Sequence, residues 1–222
     1  MRHPDEKHGV STIVLFIMTS LALLFFCSLF VVKKIGPLDF WWWFTLDICL
    51  MGALVFRIDG DYIVDLLNDI HNKPGEKLFY GLFSAGILYA IFFAGNRIAR
   101  QIFDFAESGI LDVYEIRTGA SLWKVVSLMV IVIGPGEELL WRGYFQKQYS
   151  RRYGSIAGFA ITLGLYTLIH AGSRNAMLVL SAIVAGSFWG WLYRWRGSLV
   201  LNIVSHVTWD LAVFVLFPFH HL

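Results

Sequence analysis

The stretch that decides the fold is KVVSLMVIVIGPGEELLWRGYF, residues 124–145, where two adjacent glutamates interrupt an otherwise apolar run. A charged side chain near the bilayer midplane costs at least ~2.5–3.5 kcal/mol, so a chain keeps one there only with a partner or a task. Three more polar residues follow inside apolar runs, and the five together are the starting point for function. This polar set consists of Glu137, Glu138, His170, His206 and Asp210.

The composition around this stretch indicates a membrane protein. Hydrophobic residues make up 57% of the chain and charged residues only 15%, against about 25% charged in a typical soluble domain, and the mean hydropathy is +0.63. Apolar runs close to the ~20 residues that cross ~30 Å of hydrocarbon recur along the whole chain. We therefore predict an all-α, polytopic transmembrane helical bundle of about seven spans. The predicted spans are 10–32, 37–56, 78–95, 121–145, 155–172, 176–193 and 198–218.

The spans divide the chain into two predicted parts. Residues 1–117 carry N-terminal transmembrane helices and interfacial connectors, and residues 118–222 carry the polar set. The connectors RIDGDYIVDLLNDIHNKPGEK and QIFDFAESGILDVYEIRTGAS are polar with interspersed apolar residues, a pattern typical of short amphipathic helices on the membrane surface. In the predicted sixth span, Ala182, Gly186 and Gly190 form a small-residue ladder that favours close helix packing.

Charge and cysteine content exclude other classes of protein. The net charge of +2, without a basic patch, argues against a nucleic-acid partner and leaves the lipid bilayer as the surrounding partner. Cys27 and Cys49 both fall inside predicted spans, so a disulfide framework is not expected. The predicted localisation is an integral, multi-pass membrane protein, in the plasma (cytoplasmic) membrane if the source is prokaryotic.

Helical spacing separates the two adjacent glutamates. Glu138 and Arg142 are i,i+4 neighbours with the acid first, the favourable order for an ion pair. Glu137 points about 100° away, and its own i+4 neighbour is Trp141, which has no charge to offer. We therefore predict a structural role for Glu138 and a free carboxylate at Glu137; the simpler interpretation is an interfacial salt-bridge cluster at a helix end.

The spacing of the other polar residues predicts that they reach the same depth. The midpoint between Glu137 and His170 falls in the polar turn SRRYGS, so a symmetric helical hairpin returns His170 to the level of Glu137. His206 lies on a span parallel to that of His170, and Asp210 follows it by four residues on the same face. Asp47, in the second span, has no partner at matching depth and is interpreted as a packing residue.

Two chemistries suit such a pocket. In the first, Glu137 and His170 polarise a water that attacks a peptide carbonyl, and His206, held by Asp210, stabilises the oxyanion. In the second, the imidazoles and a carboxylate bind zinc and leave one position open for that water. Its ligands would be Glu137, His170 and His206. No obligatory cofactor is favoured, because no short His-x-x-x-His or Glu-x-x-His pair pre-organises a metal site.

Three motifs in the C-terminal half resemble those of the CAAX-processing, Rce1-like intramembrane proteases, also called the CPBP or Abi family. EELLWR, residues 137–142, is similar to the family signature Glu-Glu-x-x-x-Arg. Tyr166-Thr-Leu-Ile-His170 resembles the aromatic-x-x-x-His motif, with Tyr where Phe is usual. His206-Val-Thr-Trp-Asp210 resembles His-x-x-x-Asn/Asp. The three occur in family order and cover roughly residues 118–218.

The resemblance implies a CAAX prenyl protease 2-like enzyme, either a glutamate-type or a metallo-endopeptidase. Glu137 would be the catalytic base, His170 its partner in activating water, and His206 with Asp210 the oxyanion-stabilising pair. Glu138 and Arg142 would support them. An ionised Asp at position 210 would repel an oxyanion, so Asp210 is expected to be protonated, to orient His206 from behind, or to help hold a metal.

Two other functions remain open from the sequence. A non-proteolytic membrane protein could use the buried Glu/His/Asp cluster as a proton or ion relay, because such chains also mark transporters. A pseudoprotease that scaffolds partners is the other alternative. For the protease, the expected partner is a peptide or protein substrate at the membrane, and its identity does not follow from the residues.

Overall fold

The fold is an all-α bundle, described here by a computed structural model that covers residues 9–117 and 119–219. Within these ranges the protein is helical throughout, apart from short turns and one isolated β-bridge between Ile35 and Leu38. The helices of the first half are α1 (Thr12–Val32), α2 (Phe40–Ile58), α3 (Tyr62–His71), α4 (Pro74–Ile102) and α5 (Ala106–Glu115).

The second half begins with one continuous but irregular helix. Its parts are α6 (Leu122–Leu128), π1 (Met129–Ile133), α7 (Gly134–Glu138), π2 (Leu139–Gln146) and α8 (Lys147–Tyr153), where π denotes i→i+5 hydrogen bonding. It is followed by α9 (Ser155–Ala171), α10 (Ala176–Arg196), α11 (Leu199–Leu211) and π3 (Ala212–Leu216).

Polar side chains set where several helices begin. Ser11, Asp39, Asn175 and Ser198 accept hydrogen bonds from backbone N–H groups in the first turns of α1, α2, α10 and α11. Such N-caps satisfy donors that the helix itself leaves unpaired. At the other end of α10, Gly197 adopts a left-handed conformation with φ +64°, a common way to end a helix.

The predicted class of fold is confirmed, and the count of about seven spans stays a prediction. Within the described residues, five helical segments are long and apolar enough to cross a membrane, and the chain is an integral membrane protein. They are Thr12–Val32, Phe40–Ile58, Pro74–Ile102, Ala176–Arg196 and Leu199–Leu216. The predicted fourth span is instead the irregular helix from α6 to α8, and the fifth, α9, has only 17 residues. All seven predicted spans correspond to helical segments, and the two that lie outside this set of five carry Glu137, Glu138 and His170.

The two predicted connectors both contain short helices, α3 and α5, of ten residues each. On α3 the apolar side chains of Ile63, Val64, Leu67 and Ile70 are exposed, as expected for a face that meets lipid. Tyr62 points the other way and is buried, and its hydroxyl donates to the carbonyl of Leu139 at 2.6 Å. The connector thus braces π2, immediately after Glu138.

The N-terminal helices enclose the irregular helix from α6 to α8. One hydrophobic cluster joins residues of α1, α2 and α3 to residues of π1, π2 and α9, among them Phe26, Met51, Trp141 and Tyr166. A second cluster joins α4 to α10 and α11. The polar set is therefore held between the two parts of the chain.

Candidate active site

The helix that carries the glutamates continues through the Gly-Pro-Gly sequence. The N–H of Gly134 donates to the carbonyl of Met129, five residues back, and regular α7 follows. Proline has no N–H and crowds the preceding turn, and a π-helical turn before Pro135 supplies the wider spacing, a feature frequent at functional sites. The proline is thus accommodated by a local change of helical winding.

Gly136 fixes the distance between this helix and α2. A Cβ at position 136 would overlap Cγ2 of Ile48, so only glycine permits the two backbones to approach this closely. The adjacent glutamates are therefore held against α2 in the interior, with Glu137 only 6% exposed and Glu138 fully buried.

Glu138 is the centre of a dense hydrogen-bonded group that we call the Glu138 cluster, comprising Glu138, Arg142, Asn202 and the Nδ1 side of His206. Nη1 of Arg142 donates to Oε1 of Glu138 at 2.9 Å, the ion pair that the i,i+4 spacing predicts. Nδ1 of His206 donates to the same oxygen at 2.8 Å. Nδ2 of Asn202 donates to Oε2 at 3.0 Å. Both carboxylate oxygens are therefore in use.

Arg142 joins the Glu138 cluster to α9 and α10. Its Nη2 donates to the carbonyl of Gly186 at 3.3 Å, and its guanidinium lies over the rings of Tyr166 and Trp189 at 5.0 and 5.7 Å. A Cβ at Gly186 would come within 3.0 Å of the Tyr166 ring. The small-residue ladder of α10 thus allows the close approach that the sequence predicts.

His206 is held on its Nδ1 side and open on its Nε2 side. The ring stacks on Trp189, with centroids 3.7 Å apart and planes at 21°. Nε2 faces two carboxyl groups, 3.8 Å from Oε2 of Glu137 and 3.7 Å from Oδ2 of Asp210. The prediction that Asp210 holds His206 from behind is therefore wrong, because Glu138 occupies that position and Asp210 faces Nε2.

His170 is oriented by its own helix. Its Nδ1 lies 2.7 Å from the carbonyl of Tyr166, and because a carbonyl only accepts, Nδ1 carries the hydrogen and Nε2 keeps a lone pair when the ring is neutral. Phe30 and Tyr166 contact the ring, each with its centroid 4.6 Å away. No direct contact joins His170 to Glu137 among the hydrogen bonds and ion pairs of the described residues.

A cavity of about 410 Å³ brings these groups together. Its polar wall contains Glu137, His170, His206 and Asp210, and we call this the cavity side, as opposed to the Glu138 cluster. The rest of the wall is mostly apolar and aromatic. Exposed lining residues belong to α4, such as Ile98, and to α10, such as Val184, so the cavity reaches the outer surface of the bundle between these two helices.

The side chains in this arrangement do not fit a resident metal ion. Within residues 9–117 and 119–219, no three or more His, Cys, Asp or Glu side chains are grouped so that they could hold one. We derive no chemical step through zinc.

Two residues of the site were missed by the sequence reasoning. Asn202 lies one helical turn before His206, and its spacing to His206 and Asp210 was a usable signal, since all three share a face of α11. Trp189 gave no such signal, because nothing distinguishes it from the other aromatic residues of an apolar helix. The buried acid Asp47 does not line the cavity, and its Oδ2 has no hydrogen-bond partner in the described part of the chain.

Fold and site together define an all-α integral membrane protein with a buried carboxylate–histidine site. Residues 118–212 match the family model described as Rce1-like, type II CAAX prenyl endopeptidase Rce1-like. The match confirms the resemblance predicted from the three motifs, and it supports a function of the CAAX-protease type, that of an intramembrane protease. The matched segment contains every residue of the polar set and does not include α1–α5. Comparison with the curated proteins gives no match, and comparison with the solved structures gives none either.

Proposed function

We propose that the protein is an intramembrane endopeptidase that hydrolyses peptide bonds near the membrane with a water activated by Glu137 and His170. One observation carries the proposal: Glu137 and His170 both line the cavity, while both carboxylate oxygens of the adjacent Glu138 accept hydrogen bonds from structural partners. A carboxylate free of strong partners beside a histidine suits general base catalysis.

The spacing around His206 supports a position for the attacking water. Two polar atoms 3.8 Å apart, as Glu137 Oε2 and His206 Nε2 are, are too distant for a good direct hydrogen bond and close enough for one water to bridge. In the proposed step Glu137 takes a proton from this water as the oxygen attacks the carbonyl carbon, and His170 Nε2 accepts the other hydrogen bond. The proton on Glu137 then passes to the leaving amine as the C–N bond breaks.

His206 supplies stabilisation of the oxyanion. Glu138 and Trp189 fix its ring before the substrate arrives, so no reorganisation is needed during the reaction. Nε2, when it carries a hydrogen, donates to the tetrahedral oxyanion. Asp210 faces the same place, and in its neutral acid form it offers a second O–H donor. A donor role is the one that remains for Asp210, because Glu138 already accepts the hydrogen bond from Nδ1 of His206.

The substrate we propose is a peptide or protein tail of the CAAX type, carrying its lipid in the bilayer. Its support is the Rce1-like match together with the apolar cavity wall that reaches the bundle surface between α4 and α10. Apolar pockets with a few convergent polar groups are the usual form of ligand sites. We propose no obligatory zinc.

The experiment is cleavage of a farnesylated CAAX peptide, and of a membrane-associated peptide library, by the purified full chain in lipid vesicles. We expect Glu137→Gln and His170→Ala to be folded and inactive. Asp47→Asn is the matched control, because Asp47 is an equally buried acid that does not line the cavity, and it should retain activity. Proton flux by the same vesicles without cleavage of any peptide would instead support the relay.

A further inference from the structure

The cavity wall has a polar contribution from α4, a helix outside the segment that matches the family model. The α4 residues on the wall are apolar or small except for Asn96. Asn96 is only 7% exposed, although an amide has two donors and an acceptor to satisfy. A buried polar group in the wall of a largely apolar cavity requires an explanation.

Arg100 determines which way the amide of Asn96 points. Nε of Arg100 donates to Oδ1 of Asn96 at 3.1 Å. Arginine has donors only, so the carbonyl end of the amide must face it, and the NH₂ end must point away. Arg100 is itself fixed by an ion pair with Glu107 and by a hydrogen bond to the carbonyl of Phe219 at 3.1 Å. Two partners thus hold Arg100 in place, and Arg100 in turn fixes the orientation of the Asn96 amide.

The NH₂ group of Asn96, which points away from Arg100, has no acceptor in the described part of the chain. Nδ2 of Asn96 is buried and finds no hydrogen-bond partner in the described part of the chain. The same is true of the indole Nε1 of Trp209, which lies on α11 beside Asp210 and also lines the cavity. Leaving a buried donor unpaired costs far more than an average hydrogen bond contributes.

The two unpaired donors lie on facing helices. The ring of Trp209 packs edge-on against Phe92 of α4, with centroids 4.6 Å apart. Phe92 and Asn96 are i,i+4 neighbours, so they share the face of α4 that meets Trp209. Two buried N–H groups without a hydrogen-bond partner in the described residues therefore belong to the part of the wall near Asp210.

We infer that Asn96 and Trp209 bind backbone carbonyl oxygens of the substrate peptide and hold its chain beside Glu137. Every peptide has backbone carbonyl acceptors, whatever its side chains. Such carbonyls would satisfy both donors without adding a charge to an apolar cavity. Two such hydrogen bonds on one side of the chain would fix which peptide bond reaches the catalytic groups. The inference rests on the proposed function, because it assumes a peptide in this cavity.

The first test replaces the donors and keeps the packing. Asn96→Asp retains an acceptor for Arg100 and removes both N–H groups, while Trp209→Phe retains a ring against Phe92 and removes the indole N–H. With the farnesylated CAAX peptide we expect kcat/KM to fall about 10- to 100-fold for each variant. The matched control is Ser84→Ala, a buried polar residue of the same helix whose hydroxyl bonds only to its own turn, and it should be unchanged.

The second test identifies the carbonyl. A thioamide accepts hydrogen bonds more weakly than an amide, so each backbone amide of the peptide is replaced in turn by a thioamide. We expect one position to lower kcat/KM with the native protein and to have no further effect with Asn96→Asp. Equal sensitivity of both proteins at every position would overturn the inference.

A binding measurement separates this inference from the proposed function. Equilibrium binding of the fluorescent farnesylated peptide is compared in the Glu137→Gln background, with and without Asn96→Asp or Trp209→Phe. If the native protein cleaves no peptide but the added substitutions weaken binding about tenfold or more, the proposed reaction is wrong and the donor pair stands. Unchanged binding and unchanged kcat/KM with folded variants would refute the donor pair.

Discussion

The Glu138 cluster and the cavity side begin from two adjacent glutamates on one helix, yet the two carboxylates are hydrogen-bonded to very different degrees. In the Glu138 cluster both carboxylate oxygens accept hydrogen bonds at 2.8–3.0 Å from three side chains. On the cavity side the nearest approaches are 3.7 and 3.8 Å. Short hydrogen bonds to both oxygens hold the Glu138 carboxylate rigidly, whereas the longer separations on the cavity side leave room for water and substrate.

The imidazole of His206 joins the two regions. Its Nδ1 belongs to the Glu138 cluster and its Nε2 to the cavity side, so the scaffold sets the direction in which the reactive nitrogen points. Partners beyond the reacting groups commonly orient a functional histidine in this way. The comparison predicts that substitutions on the cavity side change activity and spare stability, and that substitutions in the cluster change both.

The largest expected effect is on activity, from Glu137→Gln. The amide is nearly isosteric but has lost the basic carboxylate, so cleavage of the farnesylated CAAX peptide should fall about 10²–10⁴-fold, with the thermal unfolding midpoint unchanged. Kinetics and thermal unfolding in the same detergent check both parts. Full activity in Glu137→Ala together with its loss in Glu138→Ala would reverse the assignment of the two glutamates.

Next comes the loss of stability in Glu138→Ala. Removing this carboxylate leaves Arg142 buried and uncompensated, which is expected to lower the free energy of unfolding by about 3–5 kcal/mol. Denaturant or thermal unfolding of the purified protein measures the change. The double variant Glu138→Gln/Arg142→Met removes both charges and should recover part of the loss. If Arg142→Met made no difference in the Glu138→Gln background, the ion pair would not be the cause.

A smaller effect is expected where the connector braces the scaffold. A Cβ at Gly143 would overlap the hydroxyl of Tyr62, so Gly143→Ala should push α3 away from π2 and cost about 1–3 kcal/mol. In a Tyr62→Phe background the hydroxyl is gone, and the same substitution should cost less. Equal costs in both backgrounds, measured by unfolding, would show that this contact does not position the helix that carries Glu138.

The Glu138–Arg142 pair shows what could be predicted from the sequence, since helical spacing alone gives it. The resemblance and the helical membrane class followed equally well, from local motifs and from runs of apolar residues. The role of Asp210 and the acceptor of His206 did not follow, because they depend on which face of α11 meets α7. That rotation is decided by side-chain packing between helices far apart in the sequence.

The winding of the helix from α6 to α8 also escaped prediction for a physical reason. A hydropathy pattern recognises apolar composition, which α9 and the helix from α6 to α8 both have, but it does not detect π-helical winding around Pro135. Irregular backbone inside a membrane is tolerated where other helices or a cavity cover it. Both elements lie at the site.

A minor effect is expected from Asp210→Asn. Because Glu138 already holds His206 from behind, the substitution should leave the ring in place, and the amide N–H can donate to the oxyanion as a neutral acid would. We expect kcat/KM to fall less than about tenfold, a loss of less than about 1.4 kcal/mol. Asp210→Leu, which removes both polar functions, should lose considerably more. Equal losses in the two variants would contradict a donor role.

The smallest expected effect is that of a chelator, which should leave cleavage unchanged. The candidate ligands stand on three separate helices, and in the described part of the chain they do not form a group of three that could hold a metal ion. A tetrahedral zinc site needs its ligands at ~2.0–2.2 Å from one point, and His170 would have to reach the same point as Nε2 of His206 and the carboxylates facing it. Metal analysis of the active protein should therefore find zinc well below one equivalent. Stoichiometric zinc that is lost together with activity, and that restores activity when added back, would place a metal on the cavity side and leave the Glu138 cluster to support its histidine ligand.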